Sequence, residues 1–340
     1  MDAFAKKPDD ERLDIFTEAA SRRDVQPIVV EKDFWVCWTL KRLFTDQQIG
    51  PYLTFKGGTS LSKAYGLIDR FSEDIDLTIS REAPPLVDGK NPTEGGISGK
   101  ERRRRIDTLK QNVQRFIEEV VLNSFVASVE TALCRKDGWQ IVIDPDDPDK
   151  QTILFEYPAP TAGGYIKPSI KLEFGARGGT EPQNEATICP YVAEDFPKLF
   201  QQPTCSIATL SVTRSFWEKV TILHALCHGS KMRDRMSRHF YDTYMMNQKS
   251  VTEKALADIP LLTQVVQNKT LFFRDPKASY DTAKIGSLRL VPSGKILQNL
   301  EKDYKAMEEM FMGLFPSFDE IIEGIVKLEK RINAVQESTS

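Results

Sequence analysis

The stretch KGGTSLSKAYG (56–66), followed by RFSEDIDLTIS (70–80), organises the rest of the chain. A short strand at 52–55 runs into Gly57 and Gly58, and a helix is expected at 59–67. Paired glycines let backbone N–H groups come close to an anion, and a following helix start favours negative charge. The pattern GxxxxGK[ST] is absent, so this is not a Walker A loop. From Asp74 to Ile79 polar and apolar residues alternate, the period of a half-buried strand. Asp74 and Asp76 therefore share a face, with Cα atoms roughly 6.5–7 Å apart. Ile75, Leu77 and Ile79 take the core side. Two carboxylates so placed can share a divalent ion, and an all-oxygen donor set favours Mg²⁺ or Mn²⁺.

Working outward, Ile170-Lys171-Leu172-Glu173-Phe174 alternates in the same way within a strand expected at 169–175. If that strand lies beside 74–79, Glu173 makes a third carboxylate on the same face, and a two-ion site becomes chemically reasonable. Residues 139–144 and 151–157 read as a hairpin around the acidic turn 145–150. Residues 28–45 read as a helix apolar on most sides, hence buried. Residues 81–100 are rich in Pro and Gly and read as a long loop, and 101–128 as a helix. From about 212 the pattern is helical: 213–228, 232–248, 251–266, 276–284, 296–312 and 317–335. Strands before 210 and helices after it predict an α+β protein. A mixed-sheet domain over 1–210 would precede a mainly helical domain over 211–340.

The 340 residues hold 46 Lys and Arg against 49 Asp and Glu, a net charge of −3, which excludes a whole-chain polycation. With 40% hydrophobic residues, dominant disorder is excluded as well. The 5 cysteines form no CxxC pair and suit a reducing compartment. The N-terminus lacks an apolar signal core and no stretch approaches a membrane span, so a cytoplasmic location is expected.

The combination of a G-G turn, a short helix and D-x-D on a strand resembles the DNA polymerase β-like nucleotidyltransferase superfamily. KGGTSLSKAYG…RFSEDIDL is similar, more specifically, to the AbiEii/AbiGii toxin family of bacterial nucleotidyltransferases. Glu31-Lys32-Asp33-Phe34, Phe216-Trp217-Glu218-Lys219 and Arg238-His239-Phe240-Tyr241-Asp242 resemble further motifs of that family, so the likeness spans about residues 28–245. His239 departs from it, standing where an aspartate is frequent. The resemblance implies a polymerase-β-like N-terminal domain and transfer of NMP from an NTP to an acceptor hydroxyl. That acceptor would be RNA, with the 3′ end of tRNA among the candidates. It implies a toxin role restrained by a cognate antitoxin. Lys56, Gly57, Gly58, Thr59 and Ser60 would hold nucleotide phosphates. Asp74, Asp76 and Glu173 would bind Mg²⁺ or Mn²⁺, Lys219 would meet the triphosphate, and Asp242 would belong to the catalytic pocket.

Other features weigh less. Arg102, Arg103, Arg104 and Arg105 form a basic run that suits either a solvated helix face or contact with RNA or a partner. His224 and His228 have zinc-compatible spacing but no remote ligands, so helix packing is the expectation. Arg70 reads as a phosphate contact or a surface residue, and Asp242 as a catalytic group or a surface partner of Arg238. Two rival functions remain: nucleotidylation of a protein or small molecule, and nucleotide binding without turnover.

Overall fold

The computed structural model describes residues 1–72, 74–87, 90–160 and 168–335. Glu73 of the motif and two positions of the 81–100 loop, 88 and 89, lie outside them. The described chain divides into two compact units. The first comprises Met1–Ala64 and Phe71–Thr209, and the second Tyr65–Arg70 and Leu210–Ser340.

The first unit begins with helices α1 (Asp2–Ala5), α2 (Asp9–Arg23) and α3 (Pro27–Thr45). Pro27 opens α3, where its missing N–H costs no hydrogen bond. Strand β1 (Leu53–Lys56), helix α4 (Gly57–Lys63) and strand β2 (Asp74–Ile79) follow. Helix α4 thus starts at the glycines themselves and ends earlier than the sequence suggests. Helix α5 (Gly99–Phe116) continues through a π-helical segment, Ile117–Val121, into α6 (Leu122–Leu133). Strands β3 (Gln140–Ile143), β4 (Thr152–Glu156), β5 (Ser169–Gly175) and β6 (Gln183–Ile188) come next. Helix α7 (Tyr191–Asp195) and strand β7 (Cys205–Leu210) complete the series.

Among the described residues the strands form one mixed sheet in the order β3-β4-β5-β2-β1-β7-β6. β3 and β4 are antiparallel, as the hairpin reading requires. β2 runs antiparallel to β1 and parallel to β5. The register puts Phe55, Leu77, Phe174, Leu172, Ile153, Ile170 and Phe155 on one face, all buried. Helix α3 covers that face: Trp35 and Trp38 each lie 6.1 Å from the Phe155 ring, and Trp35 stacks on Tyr157 at 5.4 Å. Phe125 of α6 meets Phe155 edge-on at 5.4 Å. The opposite face, freed from the core by strand alternation, carries Lys56, Asp74, Asp76, Lys171 and Glu173.

The second unit contains helices α8 (Val212–His228), α9 (Ser237–Gln248), α10 (Val251–Leu256) and α11 (Ile259–Phe272). α12 (Gly294–Lys305) and α13 (Phe318–Asn333) close it. Pro260 sits in the first turn of α11, with Asp258 as N-cap, and breaks the single helix expected at 251–266. The helix expected at 276–284 reduces to a 3₁₀ turn at Tyr280–Thr282, and α9 starts later than the expected 232. Ser317 and Glu320 form a reciprocal capping box at the start of α13. Among the described residues no helix is long and apolar enough to cross a membrane.

Candidate active site

The candidate side chains fall into two sets, one in each unit. In the first unit, Asp76 pairs in register with Lys56 on β1 and with Glu173 on β5, and Asp74 pairs with Lys171. Asp74 and Asp76 are half-buried and share the polar face, because β2 stays regular throughout. Gly57 has φ +79°, and a Cβ built on it would lie 1.9 Å from Asp76 Oδ2. The turn therefore leaves room for that carboxylate oxygen only because residue 57 has no side chain. The Thr59 hydroxyl donates to the carbonyl oxygens of Ser72 and Asp74, tying the glycine turn to the start of β2. The Ser60 hydroxyl donates to the Gly57 carbonyl at 2.9 Å.

Glu173 occupies the position expected of it, beside Asp76, but its carboxylate is engaged elsewhere. Lys171 Nζ lies 3.5 Å from Glu173 Oε1 and 3.6 Å from Asp144 Oδ2. Among the described residues no three Asp, Glu, His or Cys side chains converge closely enough to hold a metal ion. The three-carboxylate cluster is thus set out in register without being closed. The donor chemistry of Asp74 and Asp76, two carboxylates on one polar strand face, fits a hard divalent cation.

In the second unit, Asp242 of α9 is fully buried and Arg70 almost so. Arg70 Nε donates to Asp242 Oδ1 at 2.8 Å and its NH2 to Oδ2 at 2.9 Å. Lys219 Nζ of α8 donates to the same Oδ2 at 2.7 Å. Burial alone would raise the Asp242 carboxyl pKa, but Arg70 and Lys219 outweigh it and hold the group well below the usual carboxylate range. Asp242 is therefore no surface partner of Arg238, and Arg70 is neither exposed nor open to solvent. Burial, and then the charges of Lys219 and Arg238, push the His239 imidazole well down, so it stays neutral.

The remaining candidates sort clearly. His224 uses both ring nitrogens locally: Nε2 lies 3.0 Å from the Ser279 carbonyl oxygen, and Nδ1 accepts from the Arg289 N–H at 3.1 Å. It packs a helix and has no nitrogen left for zinc. In the basic run, Arg104 and Arg105 bond Glu101, Arg105 also pairs with Glu94, and Arg102 donates to the Pro92 and Glu94 carbonyls. Arg103 is exposed. Much of that run therefore holds the 90–98 segment onto α5.

Sequence reasoning missed the buried pair of Lys63 Nζ and Asp33 Oδ1, 2.8 Å apart. Asp33 Oδ2 also accepts from the Tyr191 N–H at 2.7 Å, and Lys63 Nζ sits 3.6 Å from the Tyr191 ring centroid. The available signal was the charged run Glu31-Lys32-Asp33 inside an otherwise apolar helix, since charges so buried require partners.

With this geometry in view, the comparisons are specific. Residues 38–324 match the family described as nucleotidyl transferase AbiEii toxin, type IV TA system. The chain belongs to the AbiEii family. It is accordingly a nucleotidyltransferase, the toxin component of a type IV toxin–antitoxin system. Among solved structures it is similar to MenT4, a nucleotidyltransferase toxin from Mycobacterium tuberculosis H37Rv. That likeness has 15% identity and a TM-score of 0.42, covering 94% of this chain and 96% of that one. The family assignment does not rest on it. No curated protein matches the chain.

Proposed function

We propose that this AbiEii-family enzyme moves a nucleoside monophosphate from an NTP onto an acceptor hydroxyl, with RNA as the acceptor class and the tRNA 3′ end included. The attacking oxygen forms a bond to the α-phosphorus as the bond to pyrophosphate breaks, and the hydroxyl proton passes to a base. The observation that carries this reading is the alignment of Asp76 with Glu173 on one polar face, with Gly57 against Asp76.

Asp74 and Asp76 would hold Mg²⁺ or Mn²⁺. Such an ion, when bound, supplies positive charge to the phosphates and lowers the pKa of an oxygen bound to it. Glu173, once released from Lys171, would help activate the nucleophile by accepting the hydroxyl proton. The backbone at Gly57, Gly58, Thr59 and Ser60, with Lys56, would orient phosphate oxygens. Lys219, a point charge on a flexible stem, can follow a phosphate group through the reaction. Arg102, Arg103, Arg104 and Arg105 would meet the RNA backbone or a partner. A cognate antitoxin would restrain the activity.

The test is transfer from each of the four α-labelled NTPs onto total RNA in the presence of Mg²⁺. Label in RNA that disappears in Asp74→Ala and Asp76→Ala is the expected result. Full transfer by either variant overturns the site. Label confined to protein or small molecules replaces RNA as the acceptor. NTP binding with no labelled product makes the protein a binding module.

A further inference from the structure

The polar face of β2 continues beyond its carboxylates. The Ser80 N–H donates to the Tyr52 carbonyl at 2.8 Å, extending the β1–β2 ladder by one residue. Alternation therefore keeps Ser80 on the side of Asp74, Asp76 and Thr78, about 13 Å along the strand from Asp76. There a cavity of about 520 Å³ opens, within the range of small-ligand sites. It lies wholly within the first unit. Buried Leu86 and Leu109 give it an aliphatic floor, and Ser80, Asn91 and Thr180 add polar groups. One wall is held in place by α5, because Arg105 Nη1 donates to the Asn91 carbonyl at 2.9 Å. Asn91 Oδ1 accepts from the Thr93 N–H and hydroxyl, so its amide N–H groups are the end left for a ligand. The cations that border the cavity, Arg81, Lys90 and Arg105, are matched by carboxylates. Glu82 lies in the lining, and Glu94 and Glu101 are bonded to Arg105.

We propose that this cavity takes an unpaired base of the acceptor RNA, upstream of the attacking hydroxyl. The inference rests on the RNA-acceptor reading above and adds where a neighbouring nucleotide is held. Direction carries the assignment. Thr59 ties α4 to Ser72 and Asp74, so the glycine turn that would hold the leaving phosphates lies at the Asp74 end of β2. In-line attack brings the acceptor in from the side opposite the leaving group. Along β2 that is the Thr78 end, toward the cavity. Lys56 Nζ, 3.3 Å from the point a Gly178 Cβ would occupy, puts a cation on the way, and that point is 3.1 Å from Thr78 Oγ1. Charge then decides between base and phosphate: a lining whose cations are already matched suits an uncharged ring better than an anion. A base offers apolar faces to the leucine floor and a polar edge to Ser80, Asn91 and Thr180. Unpaired bases are also the part of an RNA that a protein can splay out and read along their edges.

The experiment uses the whole chain, Mg²⁺, α-labelled NTP and a hairpin RNA with an unpaired 3′ tail, and reads KM for RNA and for NTP separately. Thr180→Trp fills the cavity and is expected to raise the RNA KM about tenfold to hundredfold, the scale of one seated base, with the NTP KM unchanged. Asn91→Ala, at an exposed position, removes one donor and should raise the RNA KM about threefold to tenfold. It keeps the inference testable if Thr180→Trp fails to fold. Tails with an abasic site at each unpaired position in turn give a readout that a structural role would not move. At one position the abasic site should raise the wild-type RNA KM, and on that RNA neither substitution should add to the loss. An RNA KM unchanged in the folded variants overturns the inference. So does a rise in the NTP KM alone, which puts the incoming nucleotide's base in the cavity. Equal penalties of the substitutions on every abasic tail and on the intact tail overturn it as well. If the wild type labels no RNA, the RNA-acceptor reading is what has failed, and the cavity inference falls with it.

Discussion

Gly57 and Asp76 are placed so closely that a methyl group on the glycine would overlap the aspartate carboxylate, 1.9 Å from Oδ2. Gly57 also has φ +79°, which L-residues rarely adopt. Gly57→Ala is expected to cost about 1–3 kcal/mol in urea unfolding and to reduce nucleotide transfer at least tenfold by moving Asp76. Gly66, with φ +57° and nothing within 4 Å, gives the contrast. Gly66→Ala should bring only a conformational cost of about 1–2 kcal/mol. Equal loss of transfer in both variants would remove Asp76 displacement as the cause.

Asp242→Ala should destabilise the protein by about 3–5 kcal/mol, because two largely buried cations lose their counter-charge. Lys219→Met should cost clearly less, since Asp242 keeps Arg70. Urea midpoints of the two variants settle the order, and the reverse order would contradict the assignment of Arg70 as the main partner.

Acid should weaken the fold starting below about pH 6.5. His224 and His239 are held with pKa values below the ordinary histidine value, in both cases first through burial. The unfolded chain then takes up protons that the folded chain refuses, so stability falls as pH drops through the unfolded value of about 6.5. The slope is at most about 1.4 kcal/mol per pH unit for each histidine. Asp242 acts in the same direction lower down: its depressed pKa contributes stability above about pH 4 that is lost on further acidification. Urea unfolding of wild type and His224→Asn between pH 7 and 5 checks the first part. A slope unchanged by the substitution would exclude His224.

Glu173→Gln tests whether the third carboxylate works beyond its pairing with Lys171. The expected result is a ten- to hundredfold drop in transfer and a higher Mg²⁺ requirement. An unaltered Mg²⁺ titration would leave Glu173 as a partner of Lys171 only.

Phe155→Ala should cost about 3–5 kcal/mol, because its ring is enclosed by Trp35, Trp38, Phe125 and Tyr157. Thermal or urea unfolding measures it, and a loss under 1 kcal/mol would mean that the cluster can collapse around the gap.

What could be read from the chain depended on the range of the interaction. Strand alternation is local, so Asp74, Asp76 and Glu173 could be put on polar faces before any pairing was known. Their shared register then followed from β2 and β5 lying side by side. Strand β6 escaped because most of Gln183-Asn184-Glu185-Ala186-Thr187-Ile188 is exposed at a sheet edge and carries no apolar alternation. The false helix at 276–284 lies in a segment whose order comes from tertiary bonds, such as that between Ser279 and His224. Arg70 and Asp242 are 172 positions apart. No periodicity links them, and only folding shows that one arginine is committed to that carboxylate.

The second unit is discontinuous in sequence, since Tyr65–Arg70 belongs to it while the residues on either side belong to the first. A fragment cut at the obvious boundary, 210–340, would therefore lack a piece of its own interior. It would carry Asp242 with Lys219 but without Arg70, and Phe311 without its backbone partner. One proteolytic nick near residue 210 cannot release the second unit whole, and that unit cannot be inherited, swapped or expressed by a single cut. Any exchange of the helical part between relatives must carry six residues from the middle of the nucleotidyltransferase motif region with it.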